Sequence, residues 1–161
     1  MKLNNKGLTL VEIIVAFVIL VMFLFGMLGI VMAVKEKAAN ELLARDTITF
    51  KETLTKAIQD DLIKISLTYA ECSNNTCELL LDEGVGRELS LNLNEKEITY
   101  NGTVYELPMK DRMYFGTVKM AVETIEGNKK ILIIDIPFYE METTEPNYGI
   151  KIAHPYTEVH P

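Results

Sequence analysis

A single carboxylate, Glu12, stands at the mouth of a long apolar run, Ile13 to Val34, that holds no charged residue. Burying a lone carboxylate at membrane depth is expensive, so Glu12 reads as a functional residue whose chemistry is ion pairing. Just before it lie a short basic leader, with Lys2 and Lys6, and the junction Gly7-Leu8. Three further groups could do chemistry. Cys72 and Cys77 offer thiols. Asp60-Asp61 offers paired carboxylates, and His154 and His160 offer imidazoles.

The elements that must position these groups follow from the pattern. Ile13 to Val34 gives about 33 Å of helix, the thickness of a bilayer's hydrocarbon core. A secretory signal has a shorter apolar region and a small-residue cleavage box, and neither is found here. The lysines before the run keep the N-terminus cytoplasmic and send the rest of the chain outside. From Lys35 to about Ile65 the chain turns amphipathic. Ala39, Leu42, Leu43, Phe50, Leu54, Ala57, Ile58, Leu62 and Ile65 recur at three-to-four spacing, with Glu36, Arg45, Lys51, Glu52, Lys56 and Asp60 largely opposite. No proline interrupts Met1 to Leu107. One helix from Leu8 to about Ile65 is expected.

Beyond it the chain reads as short strands and turns. Leu67–Cys72 and Cys77–Leu81 flank Ser73-Asn74-Asn75-Thr76. Glu88–Leu93 alternates. Glu97–Tyr100 and Thr103–Leu107 flank Asn101-Gly102, a strong hairpin signal. Tyr114–Ile125 and Lys130–Phe138 flank Glu126-Gly127-Asn128-Lys129, and Tyr148–Ala153 closes the chain before His154-Pro155. The expectation is an antiparallel meander of six or seven strands packed on the helix.

Composition narrows the function. With 161 residues and a formal net charge of -7, the chain is one modest domain beyond the apolar segment, and it lacks the basic face that nucleic acid demands. No catalytic constellation stands out. Ser66, Ser73 and Ser90 sit in no nucleophile motif, and no phosphate-binding glycine loop is found. Asp60 and Asp61 point about 100° apart on a helix and read as a solvated face. The histidines read as exposed. Glu140-Met141-Glu142-Thr143-Thr144-Glu145 lacks the aspartate spacing of a calcium loop, and no cofactor is expected. Asn74-Asn75-Thr76 and Asn101-Gly102-Thr103 fit the glycosylation acceptor pattern but read as turns. Cys72 and Cys77 sit at hairpin spacing. Outside the membrane they are expected as a disulfide, with free thiols and a metal site as the weaker readings.

Lys6-Gly7-Leu8-Thr9-Leu10-Val11-Glu12 resembles the cleavage and methylation motif of type IV pilins, type II secretion pseudopilins and competence pseudopilins. The resemblance covers roughly residues 2 to 34. Its first mature residue is Leu8, where phenylalanine is commoner. It implies an α+β, pilin-like fold: one long N-terminal helix, membrane-spanning then amphipathic, packed on a C-terminal antiparallel sheet. It implies a leader over residues 1–7, a membrane and filament-core helix over 8–34, an amphipathic helix over 35–66 and an extracytoplasmic β domain over 67–161. A prepilin peptidase would cut Gly7-Leu8 and N-methylate Leu8, and Glu12 would pair with the Leu8 ammonium of a neighbouring subunit. Relatives often carry proline near the position of Gly29. Gly26 and Gly29 therefore read either as ordinary membrane-helix glycines or as a melting point during assembly. The partners implied are other pilins, an inner-membrane assembly platform and the membrane.

The resulting expectation is a minor pilin or pseudopilin, moved from the cytoplasmic membrane to an extracellular filament. The Gln59-Asp60-Asp61-Leu62 stretch resembles helix ends in minor pseudopilins. A competence pseudopilin for DNA uptake and an unprocessed single-pass anchored binding protein are the alternatives.

Overall fold

A computed structural model describes residues 10–141 and 148–159. Gly7, Leu8, most of the acidic loop and His160 lie outside the described residues. The chain divides into two compact units, residues 1–42 and 43–161.

Helix α1 runs unbroken through Leu10–Lys64. Its first part is apolar on every side and buries nothing within the chain; by length and composition it can cross a membrane. In the second unit it is one-sided. Leu43, Thr47, Phe50, Leu54, Ile58 and Leu62 are its buried residues, at spacings of three and four. That stripe differs from the expected one at its start. Leu42 is 44% exposed, and fully buried Thr47 occupies the inward face instead.

Among the described residues nine strands follow, in two sheets. β1 (Leu67–Ser73), β2 (Thr76–Leu81), β3 (Gly86–Asn92), β4 (Glu97–Tyr100) and β5 (Thr103–Glu106) form an antiparallel meander in chain order. β6 (Met113–Phe115), β7 (Lys119–Glu126), β8 (Lys129–Glu140) and β9 (Tyr148–Thr157) form the second sheet. Ile133 pairs with both Ala121 and Ala153, and Phe138 with both Phe115 and Tyr148. β6 and β7 therefore lie end to end along one edge of β8, and β9 lies along the other. The architecture is α+β and pilin-like, one long N-terminal helix packed on antiparallel sheet.

Two strand expectations are corrected. The single strand expected over Tyr114–Ile125 is two, β6 and β7, because of Pro137 in the strand opposite. The Pro137 carbonyl accepts the Gly116 amide at 2.8 Å. A residue's N–H and C=O point to the same neighbour in an antiparallel strand, so the donor that proline lacks faces this junction. The last strand does not stop at Ala153. It runs on through His154 and Pro155 to Thr157, with Ile131 opposite Pro155. β9 is an edge strand of its sheet, the place where proline is tolerated.

The core gathers residues from α1 and both sheets. Phe50 of α1 meets Phe138 of β8 edge to face, centroids 5.8 Å apart. Burying each such side chain contributes roughly 1.5–3 kcal/mol. The chain end joins the sheets. Val159 donates its amide to the Thr68 carbonyl of β1, and Glu158 takes the Lys130 ammonium at 2.5 Å.

Candidate functional site

Glu12 lies in the first turn of α1, exposed among Leu10, Val11 and Ile13. A carboxylate at a helix N-terminus favours the partial positive charge of the free amides there. The site is thus a carboxylate held near a helix start within an apolar surface, suited to binding a cation. Because a carboxylate has two oxygens and about four acceptor positions, it can serve donors from more than one chain.

Gly26 and Gly29 lie within unbroken helix, and a Cβ built at either would meet nothing within 4 Å. No close approach inside this chain requires them. Their cost is intrinsic, about 1 kcal/mol each against alanine in a helix interior.

Cys72 and Cys77 are directly opposite in the β1–β2 ladder and form a disulfide, Cα atoms 4.1 Å apart. Asn74, at φ 54°, makes the intervening turn. Cys77 is fully buried, so the bridge ties the hairpin to the core.

Asp61 corrects the expectation of a solvated acidic pair. Asp60 does face outward, with Lys64 at 3.4 Å. Asp61 instead turns to the first sheet, where its Oδ2 accepts the Arg87 Nε–H and the Tyr100 hydroxyl, each at 2.9 Å. Burial, then the bond to Asp61, pushes the Tyr100 phenol far above its usual range, so it stays protonated and donating. A charge-assisted three-way contact of this kind fixes the end of α1 on β3 and β4. The sequence did hold the clue: Leu54, Ile58 and Asp61 fall at four and then three, on the inward stripe.

A second polar clasp orders the passage between the sheets. Lys96, at φ 54°, donates its ammonium to the carbonyls of Lys110 and of Met113, the latter at 2.7 Å. Lys110 in turn reaches Glu97 at 2.7 Å, a bond that raises its pKa.

His154 lies on β9 opposite Leu132 and is half-buried rather than exposed. Burial lowers its pKa. Among the described residues no group of three or more His, Cys, Asp or Glu is placed to hold a metal ion.

No family model, curated protein or solved structure matches this chain.

Proposed function

We propose that this protein is a structural subunit of a type IV pilus-like or type II secretion-like filament, of the minor pilin or pseudopilin class. The observation that carries the reading is Glu12 in the first turn of a helix whose next turns are exposed and apolar on every side. A helix of that surface needs lipid or other helices around it, and a carboxylate at its start is able to pair with a neighbour's ammonium.

In this reading a prepilin peptidase cuts between Gly7 and Leu8. The cut creates an ammonium at Leu8, four residues before Glu12 in the sequence. α1 rests in the membrane until an assembly platform draws it out among neighbouring helices, which replace the lipid contacts. Glu12 and a neighbour's Leu8 ammonium then set axial register. At ~4 Å and an effective dielectric of ~20 such a pair is worth about 4 kcal/mol before desolvation. Since desolvation offsets much of that, the pair selects register more than it adds stability.

The sheets serve as a rigid body displayed by the helix. The protein performs no chemistry in this account; its action is assembly. Replacing Glu12 by alanine tests the reading directly. Processing and membrane insertion are expected to persist while incorporation into filaments is lost.

A further inference from the structure

The outer face of the first sheet is acidic and has no cation of its own. Residues 67–106 hold eight carboxylate side chains and only two basic ones, Arg87 and Lys96. Arg87 is turned to Asp61, and Lys96 gives its ammonium to the carbonyls of Lys110 and Met113. Lys110 covers Glu97 and Glu106. Among the described residues no cation pairs with Glu78 or Glu88. Both are exposed, and they stand directly opposite each other on β2 and β3. Like charges so placed are destabilising, a cost that a bound cation removes.

Beside this pair lies a groove of about 510 Å³, large enough to admit a whole side chain. Its floor is Gly86, opposite Leu80, which in turn stands opposite Tyr69. Gly86 does not hold a positive φ, and a Cβ built on it would meet nothing within 4 Å. Neither the backbone nor the packing of this chain therefore calls for glycine there. A strand glycine of that kind marks close approach by another group. Tyr69 and Leu80, both half-buried, make an apolar wall. Glu71, Glu78 and Glu88 form the next row, two residues along each strand and about 7 Å away. An arginine or lysine can lay its aliphatic stem on the first row and its charge on the second. A guanidinium also stacks on a tyrosine ring, and Tyr69 is held in place by its hydroxyl on Glu71 at 3.0 Å. That bond and then the Glu71 charge raise the Tyr69 pKa, with Glu158 and Glu78 adding to it, so the ring stays neutral. The formal net charge of -7 makes a second copy of this chain an unfavourable occupant.

We propose that the groove over Gly86 docks a basic segment of another protein, with an arginine or lysine set against Tyr69, Leu80 and the Glu78–Glu88 pair. The site belongs to the sheet and stands whether or not the chain is a filament subunit.

The probe is a tetra-arginine peptide, acetylated, amidated and fluorescently labelled. It is titrated against the full chain in uncharged detergent and read by anisotropy. Salt is held at about 0.15 M, where charges more than about 8 Å away are largely screened. The peptide is expected to bind. Glu78→Gln with Glu88→Gln should weaken binding about three- to tenfold, the scale of two exposed ion pairs. Gly86→Leu keeps the charge and fills the groove, and it should weaken binding about threefold or more. Melting temperatures check that the variants fold, with Gly86→Val, suited to a strand, in place of Gly86→Leu if that one does not. Glu95→Gln with Glu126→Gln removes the same charge from exposed positions elsewhere and should leave binding unchanged. Equal weakening by this control, or no effect of filling the groove, would show adherence to net charge and overturn the proposal. So would the lack of any binding. Unlabelled spermidine that displaces the peptide at equal concentration would assign the groove to a free polyamine and overturn the protein partner.

Discussion

Asp60 and Asp61 are neighbours in sequence with different surroundings, and their substitutions should differ accordingly. Asp61→Ala leaves the Arg87 guanidinium and the Tyr100 hydroxyl half-buried without their acceptor. Urea unfolding of the full chain in detergent should show a loss of roughly 1–3 kcal/mol. Asp60→Ala, on the exposed side, should fall within about 0.5 kcal/mol of the parent. Equal effects would contradict the clasp between α1 and the first sheet. His154 gives a pH dependence of known sign. Its folded pKa lies below its ordinary value because burial disfavours the charged imidazolium. The folded state therefore binds fewer protons, and its contribution is intact above the ordinary value of about 6.5 and lost as pH falls below it. His154→Gln should flatten the fall in melting temperature between neutral and mildly acidic pH. An unchanged slope would assign the fall to the carboxylates.

Turns that depend on two adjacent residues were legible in the chain, and features that depend on distant strands were not. Asn101-Gly102 makes the expected hairpin because both residues hold positive φ, 49° and 76°. Gly102→Val forces a β-branched residue into that region and should cost about 1–2 kcal/mol, read by thermal unfolding. Cys72 and Cys77 were likewise readable from their spacing about a short turn. The break between β6 and β7 was not, because its cause is Pro137, some twenty residues away in another strand. A local reading of Tyr114–Ile125 could not contain it. Thr47 was missed for a related reason: hydrophobic periodicity passes over a threonine even where geometry puts it inside. In α1, Gly26→Ala with Gly29→Ala meets no atom within 4 Å and should stiffen the helix by about 2 kcal/mol in all. If the glycines serve as a melting point, assembly should drop while processing and insertion stay normal. Assembly at parental levels would return them to the ordinary glycines of a membrane helix.

The whole molecule divides its labour between an apolar helix that needs neighbours and a double-sheet body that carries its own core. The body is held to α1 by Phe50 on Phe138 and by Asp61 on Arg87 and Tyr100, contacts in different sheets. Losing one should loosen one sheet before the other, with hydrogen exchange as the measurement. Phe50→Ala is expected to raise exchange first in β8 and β9, and Asp61→Ala first in β3 and β4. Simultaneous loss in both sheets would show that the core opens as one unit. The filament reading turns on the first residues of the chain. The N-terminus and intact mass should therefore be measured on protein from membranes of cells with and without prepilin peptidase. The account predicts a chain that begins at methylated Leu8 only when the peptidase is there, and an uncut chain for Gly7→Val. A retained Met1 in both cells, unaffected by Gly7→Val, would contradict the filament role and leave a membrane anchor.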